Sequence, residues 1–144
     1  LGNKNEINNF NVDVIKVLPL ICYESIYGDL ITARETDVLC IITNDGWWKN
    51  SAGYKQHSSY ARFRAIEQRK AIIRSANTGI SSIITLLGAI EKQSKWGTKQ
   101  IIKATIPIIK TKTFYSIYGD FIGRISAFIF SLFFLIALVK KRIK

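Results

Sequence analysis

Val17-Leu18-Pro19-Leu20-Ile21-Cys22-Tyr23-Glu24 is an apolar run that stops abruptly on a thiol, an aromatic and a carboxylate. A buried strand ending this way holds a sulfur at the rim of a sheet, where a substrate can reach it. A thiolate in polar surroundings is a nucleophile, whereas a cysteine sealed in a core is inert. Glu24 would accept a proton there or hold its neighbours in place, and the backbone N–H of Tyr23 can point at a developing oxyanion.

The pattern on either side of this run predicts a layered α/β domain. Residues 1–11 are polar and Asn-rich, as in a loop, and residues 12–21 read as a strand with Pro19 near its end. Residues 27–35 suit a short helix. The unbroken apolar stretch 38–43 has the length and composition of a strand buried on both faces. Asn44-Asp45-Gly46-Trp47-Trp48 breaks it with turn residues. Helical spacing over 56–69 places Tyr60, Phe63 and Ile66 on faces related to that of Ala61 and Ala65. Strands are expected at 71–74 and 80–87, then a turn at Gly88-Ala89 into 90–93, and a last strand at 100–109. Strand–helix–strand followed by a meander implies a mixed sheet.

The C-terminus has a different character. Residues 125–139 carry no charge, and starting from Phe121 the segment reaches 19 residues with Arg124 as its one charge. A bilayer span needs about 20 mostly apolar residues. Arg124 can snorkel to head groups, and Tyr115, Tyr118 and Phe121 fall where an interfacial aromatic belt would lie. The basic stop Lys140-Lys141-Arg142-Ile143-Lys144 favours a transmembrane helix at 119–139 over a buried core helix. It also sets the tail 140–144 in the cytoplasm and the α/β domain, 1–118, on the other side.

Composition narrows the function classes. The chain has 144 residues and a net charge of +11, with 21 basic residues of which four lie in the last five positions. The remaining basic residues form no patch with interleaved aromatics, so an anionic membrane surface is a better partner than nucleic acid. Two cysteines exclude a disulfide scaffold, and Cys40, inside an apolar strand, reads as a small buried hydrophobe. One histidine and two cysteines without a close-set ligand pair give no metal site, and no cofactor is implied. The chain begins at Leu1 and contains no Met, which reads as the C-terminal piece of something longer.

Three further motifs carry chemistry. Asn44-Asp45-Gly46-Trp47-Trp48 shares a rim with Cys22 if the two strands are parallel, and ligands of α/β sheets bind at the carboxyl ends of strands. Its tryptophans would line an acyl pocket or simply pack the turn. His57 through Glu67 is the second; a structural role suits His57 best, and Ser58, Arg62 and Glu67 can interact along the helix. The third is Arg74-Ser75-Ala76-Asn77-Thr78-Gly79, where Asn77 could donate to a substrate and Gly79 could supply an unusual backbone angle.

Taken together and in order, Ile21–Glu24, Asn44–Trp47, Gln56–Glu67 and Arg74–Gly79 resemble the nitrilase (carbon–nitrogen hydrolase) superfamily over roughly residues 12–106. With the apolar span and basic tail, the pattern is most similar to the end of the bacterial apolipoprotein N-acyltransferase family. The resemblance implies the C-terminal half of an αββα sandwich followed by one transmembrane helix. It also implies a place in the bacterial inner membrane with the domain on the periplasmic face.

The resemblance further implies a two-step acyl transfer. Cys22 would attack a phospholipid ester, with phosphatidylethanolamine the expected donor. The thioester would then pass its acyl chain to the α-amino group of an apolipoprotein's diacylglyceryl-cysteine. On this basis Cys22 is the nucleophile, Tyr23 the backbone oxyanion donor and Glu24 a supporting carboxylate. Asn44, Asp45, Trp47 and Asn77 are assigned to substrate binding, and His57, Glu67 and Arg74 to supporting roles.

The family triad is Glu-Lys-Cys, and its Glu and Lys precede the Cys. Neither Lys4, Glu6 nor Lys16 has their sequence context, so the 144 residues alone are expected to be inactive and poorly folded in water. Two other readings stay open: a membrane-tethered amidase that uses water as acceptor, and a non-catalytic membrane protein with a nitrilase-like binding domain.

Overall fold

A computed structural model describes residues 8–32 and 34–143, and side chains as far as Lys140. The expectations for Lys4, Glu6 and most of the 1–11 loop, and for the side chains of the basic tail beyond Lys140, lie outside the described residues.

Six strands form one mixed sheet in sequence order: β1 (Phe10–Val12), β2 (Ile15–Ile21), β3 (Val38–Asn44), β4 (Ala71–Asn77), β5 (Ser82–Ile84) and β6 (Ile90–Gln93). The central strands β2, β3 and β4 are parallel, and the outer pairings are antiparallel. The single strand expected at 12–21 is a hairpin, because Asp13 takes a left-handed φ of 52° and turns the chain between β1 and β2. The 71–74 strand runs on to Asn77. The 80–87 strand shortens to Ser82–Ile84, since a turn from Thr85 to Ala89 takes up the rest.

The connection from β2 to β3 contains two 3₁₀ turns, Cys22–Ile26 and Gly28–Leu30, where one helix over 27–35 was expected. Helix α1 (Ala52–Gln68) joins β3 to β4 and starts four residues before the expected position. Ser51 caps it by accepting from Gly53 N, and Arg69 closes it in a left-handed conformation. Ala61 and Ala65 are its contact face; their small side chains let the helix settle on Leu18, Leu20, Leu39, Ile41, Ile72 and Ile84. Tyr60, Phe63 and Ile66 turn outward instead.

Side chains alternate along the strands, so the other sheet face carries Ile21, Ile42 and Ile73, which are 54%, 54% and 40% exposed. An open apolar sheet face is what half of a sandwich presents. Residues 98–113 have no regular secondary structure, although a strand was expected at 100–109. This segment is tied down by side chains instead: Lys92 Nζ donates to Lys103 O at 2.8 Å, Lys70 to Ile109 O and Thr113 to Glu67 O.

Short helix α2 (Phe114–Tyr118) packs on α1 and leads into α3 (Phe121–Ile143). Gly119, at φ 65°, separates them, and Asp120 Oδ1 accepts from Gly123 N at 2.9 Å. Phe121–Lys140 has a mean hydropathy of 2.3, is not buried against the domain, and is long and apolar enough to cross a bilayer. Tyr118 and Phe121 cluster with Phe114 at its start, whereas the Tyr115 hydroxyl lies against Gly28. Arg124, expected to snorkel, donates to Tyr118 O at 2.6 Å.

Candidate active site

The parallel register sets Ile21 beside Ile42 and Asn44 beside Asn77. The carboxyl ends of β2, β3 and β4 therefore form one rim, and Cys22, Asn44 and Asn77 all lie on it. Cys22 itself adopts a left-handed φ of 52° as β2 breaks into its 3₁₀ turn. That conformation costs a non-glycine residue about 1–2 kcal/mol and persists only where surrounding bonds enforce it.

Those bonds come from both sides of the cysteine. Glu24 Oε2 accepts from Ile21 N at 2.7 Å, closing the turn over the preceding peptide. Ser25 Oγ donates to Cys22 O at 2.7 Å, and His57 Nε2 lies 3.3 Å from both Cys22 O and Ser25 Oγ. In this geometry Glu24 holds the turn. The Tyr23 ring stacks on His57 at 5.6 Å, and Trp48 covers the same imidazole at 5.2 Å.

Behind the rim lies a buried polar cluster. Asp45, expected next to substrate, has no solvent exposure. Its Oδ1 is 3.0 Å from His57 Nδ1 and its Oδ2 accepts from Arg74 Nη2 at 2.7 Å. Thr43 Oγ1 also donates to Asp45 Oδ1, at 3.1 Å. Burial works against ionisation of Asp45, but the hydrogen bonds from His57 and Arg74 outweigh it and hold the carboxyl below its ordinary range. Arg74 Nη1 donates to Ile80 O, so the guanidinium also fixes the turn after β4.

Gly79 belongs to this cluster for a different reason from the one expected. The left-handed residue in that turn is Thr78, at φ 67°. Gly79 is needed for space: a Cβ there would overlap Asp45 Oδ2 and lie 2.7 Å from Asp45 Cβ and Cγ.

The other expected residues separate into two groups. Asn44 and Asn77 are exposed at the rim, with Asn44 Oδ1 accepting from Gly46 N at 3.1 Å. Trp47 stands 80% exposed beside them. Trp48, for which no separate role was expected, is the tryptophan that packs against His57. Glu67 is ten residues along α1 from His57, about 15 Å. It accepts from Arg64 Nη2 at 3.0 Å, and burial raises its pKa. Ser58 and Arg62 are not its partners; Arg62 Nε donates to Gly88 O at 2.8 Å. Cys40, half-buried in β3, has its thiol pushed up by burial. Lys16 pairs with Glu35 at the start of β2, the opposite end of the strand from Cys22.

The sequence pattern of carbon-nitrogen hydrolases matches residues 2–114 of the chain. The chain belongs to the carbon–nitrogen hydrolase family. Among curated relatives it is 32% identical over 131 residues to the apolipoprotein N-acyltransferase of Chlorobaculum tepidum, covering 89% of this chain and 25% of that protein. It is 37% identical to that of Rickettsia prowazekii, covering 87% of this chain and 26% of that protein. The chain thus spans about a quarter of the length of the curated relatives it matches.

A solved CN-hydrolase superfamily protein from Xanthomonas campestris has the same fold, with a TM-score of 0.57 at 17% identity over 67% of this chain and 42% of that one. Saccharomyces cerevisiae Nit3, of the nitrilase superfamily, gives 0.56 at 15% identity over 65% of this chain and 38% of that one. The expected fold class, a mixed α/β sheet of nitrilase type followed by one long apolar helix, is the one found.

Proposed function

We propose that this chain supplies the nucleophile and the membrane anchor of an apolipoprotein N-acyltransferase. The observation that carries the proposal is the position of Cys22. It occupies a left-handed turn at the carboxyl end of a parallel strand, on one rim with Asn44 and Asn77. The curated relatives that match most of the chain bear this activity in their names.

The reaction has two halves. The Cys22 thiolate attacks the ester carbonyl of a phospholipid; a C–S bond forms, the C–O bond breaks, and the departing alkoxide is protonated as a lysophospholipid. The free α-amine of a diacylglyceryl-cysteine then attacks the thioester. A C–N bond forms, the C–S bond breaks, and the amine gives up a proton as the thiol is restored. A thioester intermediate splits ester-to-amide transfer into two easier steps. The thiol proton passes to the family's Glu, supported by its Lys; both precede the cysteine, and the described residues near Cys22 offer no equivalent.

Each rim residue then has a part. The backbone N–H of Tyr23 faces the oxyanion, and Glu24 fixes the turn through Ile21 N. Asn44, Asn77 and the exposed Trp47 contact substrate. Helix α3 spans the bilayer, keeping the rim where lipid acyl chains are available, with the domain on the periplasmic side and the C-terminus in the cytoplasm. Phosphatidylethanolamine is the proposed donor.

The test uses the full-length protein in phospholipid vesicles, with a diacylglyceryl-cysteine lipopeptide as acceptor. Mass spectrometry should show one added acyl chain on the free-amine peptide and none on its N-acetylated form. Hydrolysis of small amides without lipopeptide acylation would overturn the proposal in favour of an amidase.

A further inference from the structure

We infer that His57, held by Asp45, is a positioning residue that clamps the carbonyl of Cys22 and so keeps the nucleophile in its left-handed turn. The inference rests on Cys22 being the reactive thiol and adds what holds it there. His57 belongs to α1 and Cys22 to the 3₁₀ turn that follows β2, 35 positions away, so this contact joins two elements of the fold.

The donor inventory defines the clamp. His57 Nδ1 lies 3.0 Å from Asp45 Oδ1 and 3.2 Å from Arg74 Nη2, so this buried pair fixes that edge of the ring. Ser25 commits its hydroxyl proton to Cys22 O at 2.7 Å. His57 Nε2 therefore faces two oxygens with lone pairs to offer, Cys22 O and Ser25 Oγ, each at 3.3 Å. The ring bridges the buried Asp45–Arg74 pair to the carbonyl of the nucleophile, with Nε2 donating to that carbonyl.

Its surroundings leave it no other position. The imidazole is 2% exposed and lies between Tyr23 and Trp48. Asp45 is in turn fixed by Arg74 and Thr43, and Gly79 presses against its carboxylate. A chain of fixed groups thus runs from β4 through Asp45 and His57 to the one strained residue of the rim that bears a thiol. Releasing the carbonyl lets the turn relax and disorients both the sulfur and the Tyr23 N–H.

Two amide substitutions separate the halves of the bridge. In His57→Gln the side-chain amide nitrogen reaches the position of Nε2 and can still donate to Cys22 O. In His57→Asn the amide reaches only the position of Nδ1, so the bond to Asp45 survives while the clamp is lost. His57→Leu removes both.

The measurement is the rate of iodoacetamide alkylation of the full-length protein in detergent, read separately at Cys22 and Cys40 by peptide mass spectrometry. Cys22 in His57→Gln should react within about threefold of the unsubstituted protein. In His57→Asn and His57→Leu it should react about tenfold more slowly, the loss expected for one hydrogen bond. Cys40 labelling reports the integrity of the sheet and should not change. If His57→Leu loosens the fold, so that Cys40 labelling rises, the Gln and Asn variants decide between them.

Equal Cys22 rates in His57→Gln and His57→Asn, whether fast or slow, overturn the clamp. That result leaves acyl transfer by Cys22 intact. Conversely, an acyl-enzyme that survives Cys22→Ala ends the nucleophile assignment without altering the labelling comparison.

Discussion

Arg74 Nη2 donates to Asp45 Oδ2 across 2.7 Å, and neither side chain touches solvent. A buried charge pair costs desolvation energy, and removing one partner leaves the other charge uncompensated. Asp45→Asn should therefore destabilise the domain by about 3–5 kcal/mol, read as a loss in chemical denaturation of the detergent-solubilised protein. A loss below 1 kcal/mol would mean that Arg74 finds another counter-charge. Asp45 also sets an acid limit. Its folded pKa lies below the ordinary aspartate value of 3.8, so its contribution is fully present above about that pH. It is lost as pH falls through the lower folded value. Stability attributable to Asp45, the difference between the unsubstituted protein and Asp45→Asn, should stay flat from pH 7 to 5 and decline below 4.

The Gly79 backbone abuts the Asp45 carboxylate, with no room for a methyl group. Gly79→Ala should cost about 1–3 kcal/mol by overpacking. Because Asp45 holds His57, the same substitution should also slow Cys22 alkylation. Gly97→Ala is the contrast: a Cβ there meets nothing within 4 Å, although its φ of 67° adds strain. It should lower stability without slowing Cys22 labelling.

Much of this site is legible in the sequence. Two apolar runs ending on Cys22 and on Asn44-Asp45 set both motifs on one rim, and the parallel register of β2 and β3 places them there. What is buried behind the rim is harder to read, because a turn aspartate looks the same whether it faces substrate or core. The available signal is Arg74. A guanidinium inside Ala71-Ile72-Ile73-Arg74 requires a buried counter-charge, and Asp45 provides it. The missed strand at 100–109 has a different cause. Its isoleucines have the composition of a strand, but a ladder also needs a free edge in register. The chain meets the β6 edge through the side chain of Lys92 on Lys103 O and then crosses to the amino end of β4, where Lys70 donates to Ile109 O. In 27–35 the backbone bonds are mostly of the i to i+3 kind, with Leu30 N donating to Tyr27 O, Ile31 N to Gly28 O and Arg34 N to Ile31 O, so the segment forms short turns in place of a continuous helix.

Glu24 accepts from Ile21 N with one carboxylate oxygen, a bond that an amide oxygen can also make. If Glu24 acts by closing the turn, Glu24→Gln should keep Cys22 alkylation within about threefold and Glu24→Ala should slow it about tenfold, the scale of one hydrogen bond. A Gln variant as slow as the Ala variant would instead assign Glu24 a role that depends on its charge.

The most direct test of the central claim is the acyl-enzyme itself. The full-length protein is incubated with phospholipid bearing an isotopically labelled acyl chain, without acceptor, then digested and analysed by mass spectrometry. The account predicts a hydroxylamine-labile label on Cys22, none on Cys40, and none anywhere in Cys22→Ala. A labelled acyl-enzyme that persists in Cys22→Ala would contradict it.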